Sequence, residues 1–171
     1  MKTFKGKEIS LSASELKIDE IAPNFKCLNK SFKEIFLNDF ENKYILINVV
    51  LSLDTTICDI QTKTIYEEIS KLEDLDIKII TISADLPFAQ ERWKSNNELD
   101  DLVVLSDFFY HDFGNKFGVL INELKLLLRS FFILDKNKKI IYVDYADEVN
   151  QHLDYEKLIN TINNEILQKK Y

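Results

Sequence analysis

Glycine and proline are scarce in this chain, three and two among 171 residues, and no stretch rich in Ser, Gly or Pro interrupts it. No linker, low-complexity tract or internal repeat is evident, so one domain over residues 1–171 is expected. Cysteine is as sparse. Cys27 and Cys58, 31 positions apart, are too few for the disulfide framework of a small secreted scaffold. With only two histidines, His111 and His152, both far from the thiols, the spacing of a zinc site is missing, and neither metal nor cofactor is expected. An excess of positive charge is also missing: 22 Lys and Arg against 29 Asp and Glu leave a net charge of −7. Nucleic acid is a poor partner for such a chain, because counterion release needs clustered cations. No run approaches the roughly 20 apolar residues that span a bilayer. The basic Met1–Glu8 segment has no apolar stretch behind it to make a secretion signal. A cytoplasmic protein with no membrane partner is the expectation.

What is present is periodicity. Short alternating flanks around Lys5-Gly6-Lys7 predict a small hairpin, and Asn24–Leu28 a short strand with Phe25 and Cys27 on one side. Tyr44-Ile-Leu-Ile-Asn-Val-Val-Leu51 is almost wholly apolar, as a strand buried on both faces should be. From Ile57 to Leu72 the period changes: Ile57, Ile60, Ile65, Ile69 and Leu72 share one half of a helical wheel. A strand at Ile77–Ile82, a short helix at Pro87–Lys94, an apolar run at Leu102–Leu105 and a helix from about Phe108 to Phe117 follow. Ser130–Leu134 and Lys139–Val143 flank Asp135-Lys-Asn-Lys138 as a hairpin, and Tyr155, Leu158, Ile159, Ile162 and Ile166 give a closing amphipathic helix. This order predicts an α/β sandwich with a mixed central sheet, of the thioredoxin-like kind. Fold alone does not give function.

The junction Leu51-Ser-Leu-Asp-Thr-Thr-Ile-Cys58 is the place where chemistry is expected. Ligands of open α/β sheets bind beyond the carboxyl ends of the strands. A cysteine there enters the first turn of the next helix, where free backbone N–H groups and the dipole favour a thiolate. The thiolate is the nucleophile, and an ordinary thiol with a pKa of about 8.5 supplies little of it at neutral pH. Each unit of depression takes about 1.36 kcal/mol, whereas a helix terminus is usually worth about 0.3–1 kcal/mol. A nearby cation is therefore needed. The alternative is a buried, structural Cys58 on the apolar side of the helix, cysteine being among the most buried residue types.

Ser52-Leu-Asp-Thr-Thr-Ile-Cys58 resembles the peroxidatic loop of bacterial thiol peroxidases, the atypical two-cysteine branch of the peroxiredoxins. Ile82-Ser-Ala-Asp-Leu-Pro-Phe-Ala-Gln90 with Arg92, and Leu124-Lys-Leu-Leu-Leu-Arg129 running into an apolar strand, resemble further segments of that branch, in the same order. The Phe4-Lys-Gly6 hairpin and the Val149–Tyr155 stretch also fit, so the resemblance covers nearly the whole chain. It implies a thioredoxin-like fold with an N-terminal hairpin, with Cys58 as the peroxidatic cysteine, Thr55 as its hydroxyl partner and Arg129 as the active-site arginine. Arg129 would be the missing cation, holding the thiolate and then a peroxide oxygen through its fork of donors. Thr55 could accept the peroxide proton while donating to the sulfur. The first product would be a sulfenic acid on Cys58. Without the resemblance, Thr55 could be a helix cap, Arg129 a partner of some surface carboxylate and Asp54 a turn residue.

Two positions depart from the branch. Leu51 stands where it has a proline, which fixes φ and shapes the loop. Lys94 stands where it has a resolving cysteine; as a lysine it reads as a solvated helix residue. Cys27, the only other thiol, lies on a core strand and would need its Cα within about 7 Å of that of Cys58 to resolve it. The expectation is a thiol-dependent peroxidase of one-cysteine type, forming homodimers, that takes hydrogen peroxide or organic hydroperoxides. It would be recycled by an external thiol reductant, a thioredoxin-like protein or a low-molecular-weight thiol. The alternative is a catalytically impaired relative acting as a sensing or binding module.

Overall fold

The computed structural model describes residues 1–72 and 75–168. Its strands are β1 (Lys2–Phe4), β2 (Lys7–Ile9), β3 (Lys26–Leu28), β4 (Glu34–Phe36), β5 (Tyr44–Val49), β6 (Ile77–Ser83), β7 (Val103–Ser106), β8 (Ser130–Leu134) and β9 (Ile140–Tyr145). The helices are α1 (Thr56–Ser70), α2 (Pro87–Asn96), α3 (Asp112–Lys116) and α4 (Tyr155–Thr161). β1 and β2 form the N-terminal hairpin, and the other seven strands make one mixed sheet in the order β4-β3-β7-β6-β5-β8-β9. This is the thioredoxin-like α/β architecture that the order of elements predicts.

Register places the site. β5, β6 and β7 run parallel, with Val49 opposite Ile82 and Ile82 opposite Leu105, so their carboxyl ends share one edge of the sheet. β8 runs antiparallel to β5 with Ser130 opposite Val49. The residue that enters β8, Arg129, therefore lies at the same edge as the residues leaving β5. β9 pairs with β8 through Ser130 and Tyr145, and Ala146 N–H donates to the Arg129 carbonyl, so the chain after β9 also emerges there. Five separate stretches of sequence thus converge on one rim.

The core is built from both faces of this sheet. Residues 45–49 of β5 and all of β8 are buried, as their apolar composition requires. Trp93 of α2 donates from Nε1 to Asp59 Oδ1 of α1 at 2.9 Å, so the two helices lie side by side. The buried stripe of α1 is rotated from the isoleucine stripe of the sequence. It consists of Cys58, Gln61, Thr62, Ile65 and Ile69, while Ile60 is exposed. Hydrogen bonds from Asn48 on β5 to Thr62 and from Gln61 to Asn48 hold the polar pair inside, and these partners lie too far away in sequence for periodicity to show.

Three further elements differ from expectation. The helix expected over residues 108–117 is only the five-residue α3. Asp107 reaches forward to accept from the N–H groups of Phe113 (3.0 Å) and Gly114 (2.8 Å), which starts the helix at residue 112 and leaves Phe108–Tyr110 outside it. β4 escapes the sequence pattern because it is three residues long and depends on a turn in which Asn29 Oδ1 accepts from Ser31 and Lys33. The closing helix continues past α4 as a π-helical segment, Ile162–Leu167. The wider turn suits the four-residue spacing of its buried residues, Leu158, Ile162 and Ile166.

Gly118, just beyond α3, has φ of +62°, and a Cβ there would fall 2.2 Å from the Ser14 carbonyl oxygen. That neighbour is backbone and cannot rotate away. Gly6 has φ of +73° in the hairpin turn but nothing within 4 Å of the same position. Gly118→Ala is expected to cost about 3 kcal/mol, strain and overpacking together, and Gly6→Ala about 1 kcal/mol. Urea unfolding of the two variants checks the difference; equal losses would refute the packing argument.

Candidate active site

The loop after β5 is set by a carboxylate. Asp85, beyond the end of β6, accepts from Ser52 Oγ (2.6 Å), Leu53 N–H (2.8 Å) and Ser83 Oγ (2.8 Å). Gln90 donates from Nε2 to Ser83 Oγ and to the Leu105 carbonyl, both at 2.9 Å, and Ser106 Oγ donates to the Asp85 carbonyl. The Ser83–Gln90 segment therefore clasps the loop that leads to Cys58. Leu51, which stands where the resembled branch has a proline, is buried. Here side-chain hydrogen bonds to Asp85, rather than a fixed φ at residue 51, hold the loop.

Thr55 has extended backbone (φ −98°, ψ 142°) and is the N-cap of α1; the first helical bond runs from Asp59 N–H to the Thr55 carbonyl at 2.9 Å. Cys58 is thus the third helical residue, where backbone N–H groups have no helical carbonyl to bind. The Thr55 side chain makes no cap. Its hydroxyl donates to the Ser52 carbonyl at 2.9 Å, which leaves its oxygen free to accept. Asp54 is an exposed turn residue, 3.6 Å from Arg92 Nη2.

Arg129 is 1% exposed and Cys58 0%. The guanidinium donates from Nη2 to Cys58 Sγ at 3.4 Å, from Nη1 to Gln61 Oε1 at 2.7 Å and from Nε to the Val149 carbonyl at 3.1 Å. Among the described residues no carboxylate forms an ion pair with it, so the reading of Arg129 as one half of a surface salt bridge does not hold. A buried charge left in this state is costly unless it has an anion or a full set of hydrogen bonds. Behind it, Gln61 Nε2 donates to Asn48 Oδ1 (2.5 Å) and to the Val49 carbonyl (3.3 Å). Asn48 Nδ2 in turn faces the hydroxyls of Thr62 (3.1 Å) and Thr81 (3.2 Å). Neither Gln61 nor Asn48 was singled out from the sequence. The available signal was a lone asparagine inside an apolar strand and a glutamine one turn after Cys58.

The structure brings Cys58 and Arg129 into contact and leaves Thr55 three residues upstream, on the loop. Cys27 is elsewhere. It lies on β3, separated from β5 by β7 and β6, three strand spacings or roughly 14 Å. Its thiol is buried, which pushes its pKa well above the usual value, and it faces Asp107 Oδ1 at 3.8 Å. Lys94 is not the solvated residue its type suggested. It is 9% exposed, lines a cleft of about 400 Å³ between α2 and the β7-β3-β4 edge, and sits 3.9 Å from Glu91. Near the site, His152 Nδ1 lies 2.5 Å from Tyr155 Oη. Burial pushes the Tyr155 phenol up to about 12, and both Arg129 and Cys58 act on it electrostatically. Among the described residues no group of three or more metal-ligating side chains comes together, and no helix is long and apolar enough to cross a membrane.

The site thus joins a buried thiol in the first turn of a helix to a buried arginine that no carboxylate among the described residues pairs with. Comparison with known proteins identifies the family. The chain is 46% identical over 157 residues to a thiol peroxidase of Bacillus subtilis, covering 92% of this chain and 93% of that one. It is 43% identical over 160 residues to a thiol peroxidase of Streptococcus agalactiae, covering 94% and 96%. Its fold superposes on the crystal structure of a peroxiredoxin-like protein from Aquifex aeolicus with a TM-score of 0.87 at 32% identity, covering 96% of each chain. Residues 18–143 match the AhpC/TSA family, and the chain belongs to that family.

Proposed function

We propose that this protein is a thiol-dependent peroxidase of one-cysteine type, with Cys58 as the attacking sulfur and Arg129 and Thr55 as its partners. The observation that carries the reading is the 3.4 Å contact between Cys58 Sγ and a buried arginine that has no carboxylate partner among the described residues. The thiolate attacks one peroxide oxygen, an S–O bond forms as the O–O bond breaks, and the departing hydroxide or alkoxide takes a proton to leave as water or alcohol. Arg129 follows the negative charge from the sulfur to the departing oxygen, and the N–H groups at the start of α1 add fixed dipoles. Thr55, by turning its hydroxyl from the Ser52 carbonyl, positions the peroxide. Because Cys58 has no exposed surface in this state, the peroxide enters through a local opening of the 51–55 loop.

The oxidised sulfur is a sulfenic acid. With Lys94 in α2 and Cys27 three strands away, it is resolved from outside. One external thiolate attacks the sulfur to give a mixed disulfide, and a second releases Cys58. A cytoplasmic setting, where such thiols are held reduced, suits this cycle. Asp85 offsets the loss of proline at residue 51 by fixing the loop, which supports a working peroxidase over an impaired binding module.

The surface beside the site supports a homodimer. Phe88 is 70% exposed and Phe109 63%, and they belong to a row of ring contacts running Phe88–Phe32–Phe108–Phe109–Tyr110. Leu86 is exposed next to it. An apolar row of this kind is an association surface. Light scattering at micromolar concentration is expected to give a dimer for the native chain and a monomer for Phe88→Asp; a native monomer would refute the pairing.

The decisive experiment is anaerobic reduction, one equivalent of hydrogen peroxide, then intact mass and peptide mapping. A prompt gain of one oxygen on Cys58 is expected, with no Cys27–Cys58 disulfide. A low-molecular-weight thiol should then give a mixed disulfide at Cys58. Arg129→Ala should slow the oxidation by about 100-fold or more, the usual scale for losing one donor to developing charge. A Cys58 that remains a thiol while free cysteine is oxidised would overturn the proposal.

A further inference from the structure

We infer that the cleft beside α2 is a binding site for a small amphipathic monocarboxylate, its charge held by Lys94 and its chain by the apolar wall around it. The cleft has a volume of about 400 Å³ and lies between α2 and the β7-β3-β4 edge. That size is in the range of small-molecule sites. Cys58, Thr55 and Arg129 do not line it, so the inference stands apart from the chemistry proposed for Cys58.

The charge of the ligand follows from Lys94. The residue is 9% exposed and lines the cleft. Its ammonium makes no hydrogen bond among the described residues, and its one ion-pair contact is Glu91 Oε2 at 3.9 Å. Glu91 is committed elsewhere, since its other oxygen lies 3.2 Å from Lys30 Nζ. Lys30, Glu91 and Lys94 together therefore carry one net positive charge. A buried ammonium with so distant a partner is costly, and a bound anion removes that cost. Three carboxylates also line the cleft, those of Asp39, Asp100 and Asp101, but all three residues are exposed and form its rim. Water and salt screen them, and what remains of their field opposes a second negative charge on the ligand. One inner cation behind an acidic rim selects a monoanion over a phosphate dianion.

The chain of the ligand follows from the wall. Ile35, Phe40, Pro87, Leu102 and Val104 supply apolar surface, and Leu102 and Val104 are buried in the sheet below. The same wall reaches the clasp on the Cys58 loop. Pro87 and Gln90 line the cleft, and Gln90 Nε2 bonds Ser83 Oγ and the Leu105 carbonyl. Ser83 in turn holds Asp85, which holds Ser52 and Leu53. A ligand that packs against this segment as it stands favours the closed loop, because opening that shifts residues 83–90 also moves its wall.

Octanoate titrated into the reduced full chain, followed by amide NMR, tests the site; 1-octanol and acetate are the controls. Saturable shifts at residues 30–40 and 87–105 are expected for octanoate with a Kd of about 1 mM or below. Binding of 1-octanol should be about tenfold weaker or worse, and acetate should give no saturable shift. The first control tests the charge anchor on the native chain without any substitution. Lys94→Met should weaken octanoate about tenfold or more and leave 1-octanol unchanged. Ile35→Trp keeps the charge but fills the space, and should abolish binding of both. No saturable shift at these residues, or equal affinity for octanoate and 1-octanol, would overturn the inference, as would a folded Lys94→Met that binds octanoate like the native chain. Saturating octanoate should also slow alkylation of Cys58 by iodoacetamide about threefold, which reads access to the sulfur and not its reaction with peroxide. An unchanged alkylation rate at saturation would refute the link to the loop.

Discussion

The structure depends on one buried charge. Arg129 is buried with no carboxylate paired to it among the described residues, and a buried cation is among the least favourable groups a fold can contain unless its donors are satisfied. Its retention rests on the acceptors around it: the Val149 carbonyl, Gln61 Oε1 and the Cys58 sulfur. Of these, Cys58 Sγ lies 3.4 Å from Nη2. On the proposed function, the group that the fold must satisfy is also the group that its chemistry uses. The fold satisfies Arg129 with one bond from each of its three nitrogens, and one of these reaches the sulfur that the proposed function makes reactive.

Much of the architecture serves to bring these two groups together from positions 71 residues apart. Three parallel strands end at one rim, and an antiparallel fourth begins there. The carboxyl end of β5 leads to Cys58, that of β6 to Asp85 and its clasp on the loop, and the amino end of β8 follows Arg129. A register shift of one residue between β5 and β8 would send the Arg129 side chain to the opposite face of the sheet. The apolar residues of β5 and β8 that look purely structural therefore set the alignment of the site.

The elements legible in the sequence were those whose pattern is local. The buried strand at 44–51, the helix that begins near Ile57, the hairpin around Asp135-Lys-Asn-Lys138 and the approach of an arginine to an apolar strand all follow from composition and period. Features that depend on distant partners were not legible. The rotation of α1 that buries Gln61 and Thr62 is imposed by Asn48, which lies more than ten positions earlier in the chain. The short α3 is imposed by Asp107, a side chain reaching forward onto backbone N–H groups that no helical period marks. Lys94 reads as solvated by type, yet the cleft beside α2 encloses it. Cys58 and Arg129 could be named from a resemblance, but the neutral hydrogen-bonded support behind them belongs to tertiary structure.

That support changes the meaning of the departure at residue 51. Proline restricts a loop through its own ring, so its effect is carried by one residue. Here the restriction is distributed: Asp85 holds Ser52 and Leu53, Gln90 holds Ser83, and Ser106 holds the Asp85 carbonyl. A distributed clasp can open without isomerising or straining a single φ, because its bonds can be exchanged for bonds to water one at a time. Cys58 has no exposed surface, so on the proposed function the loop must open for a peroxide to reach the sulfur. With the loop tied to β6 and β7 rather than stiffened at its own entrance, the proposed function makes access to the sulfur a property of the sheet edge rather than of residue 51.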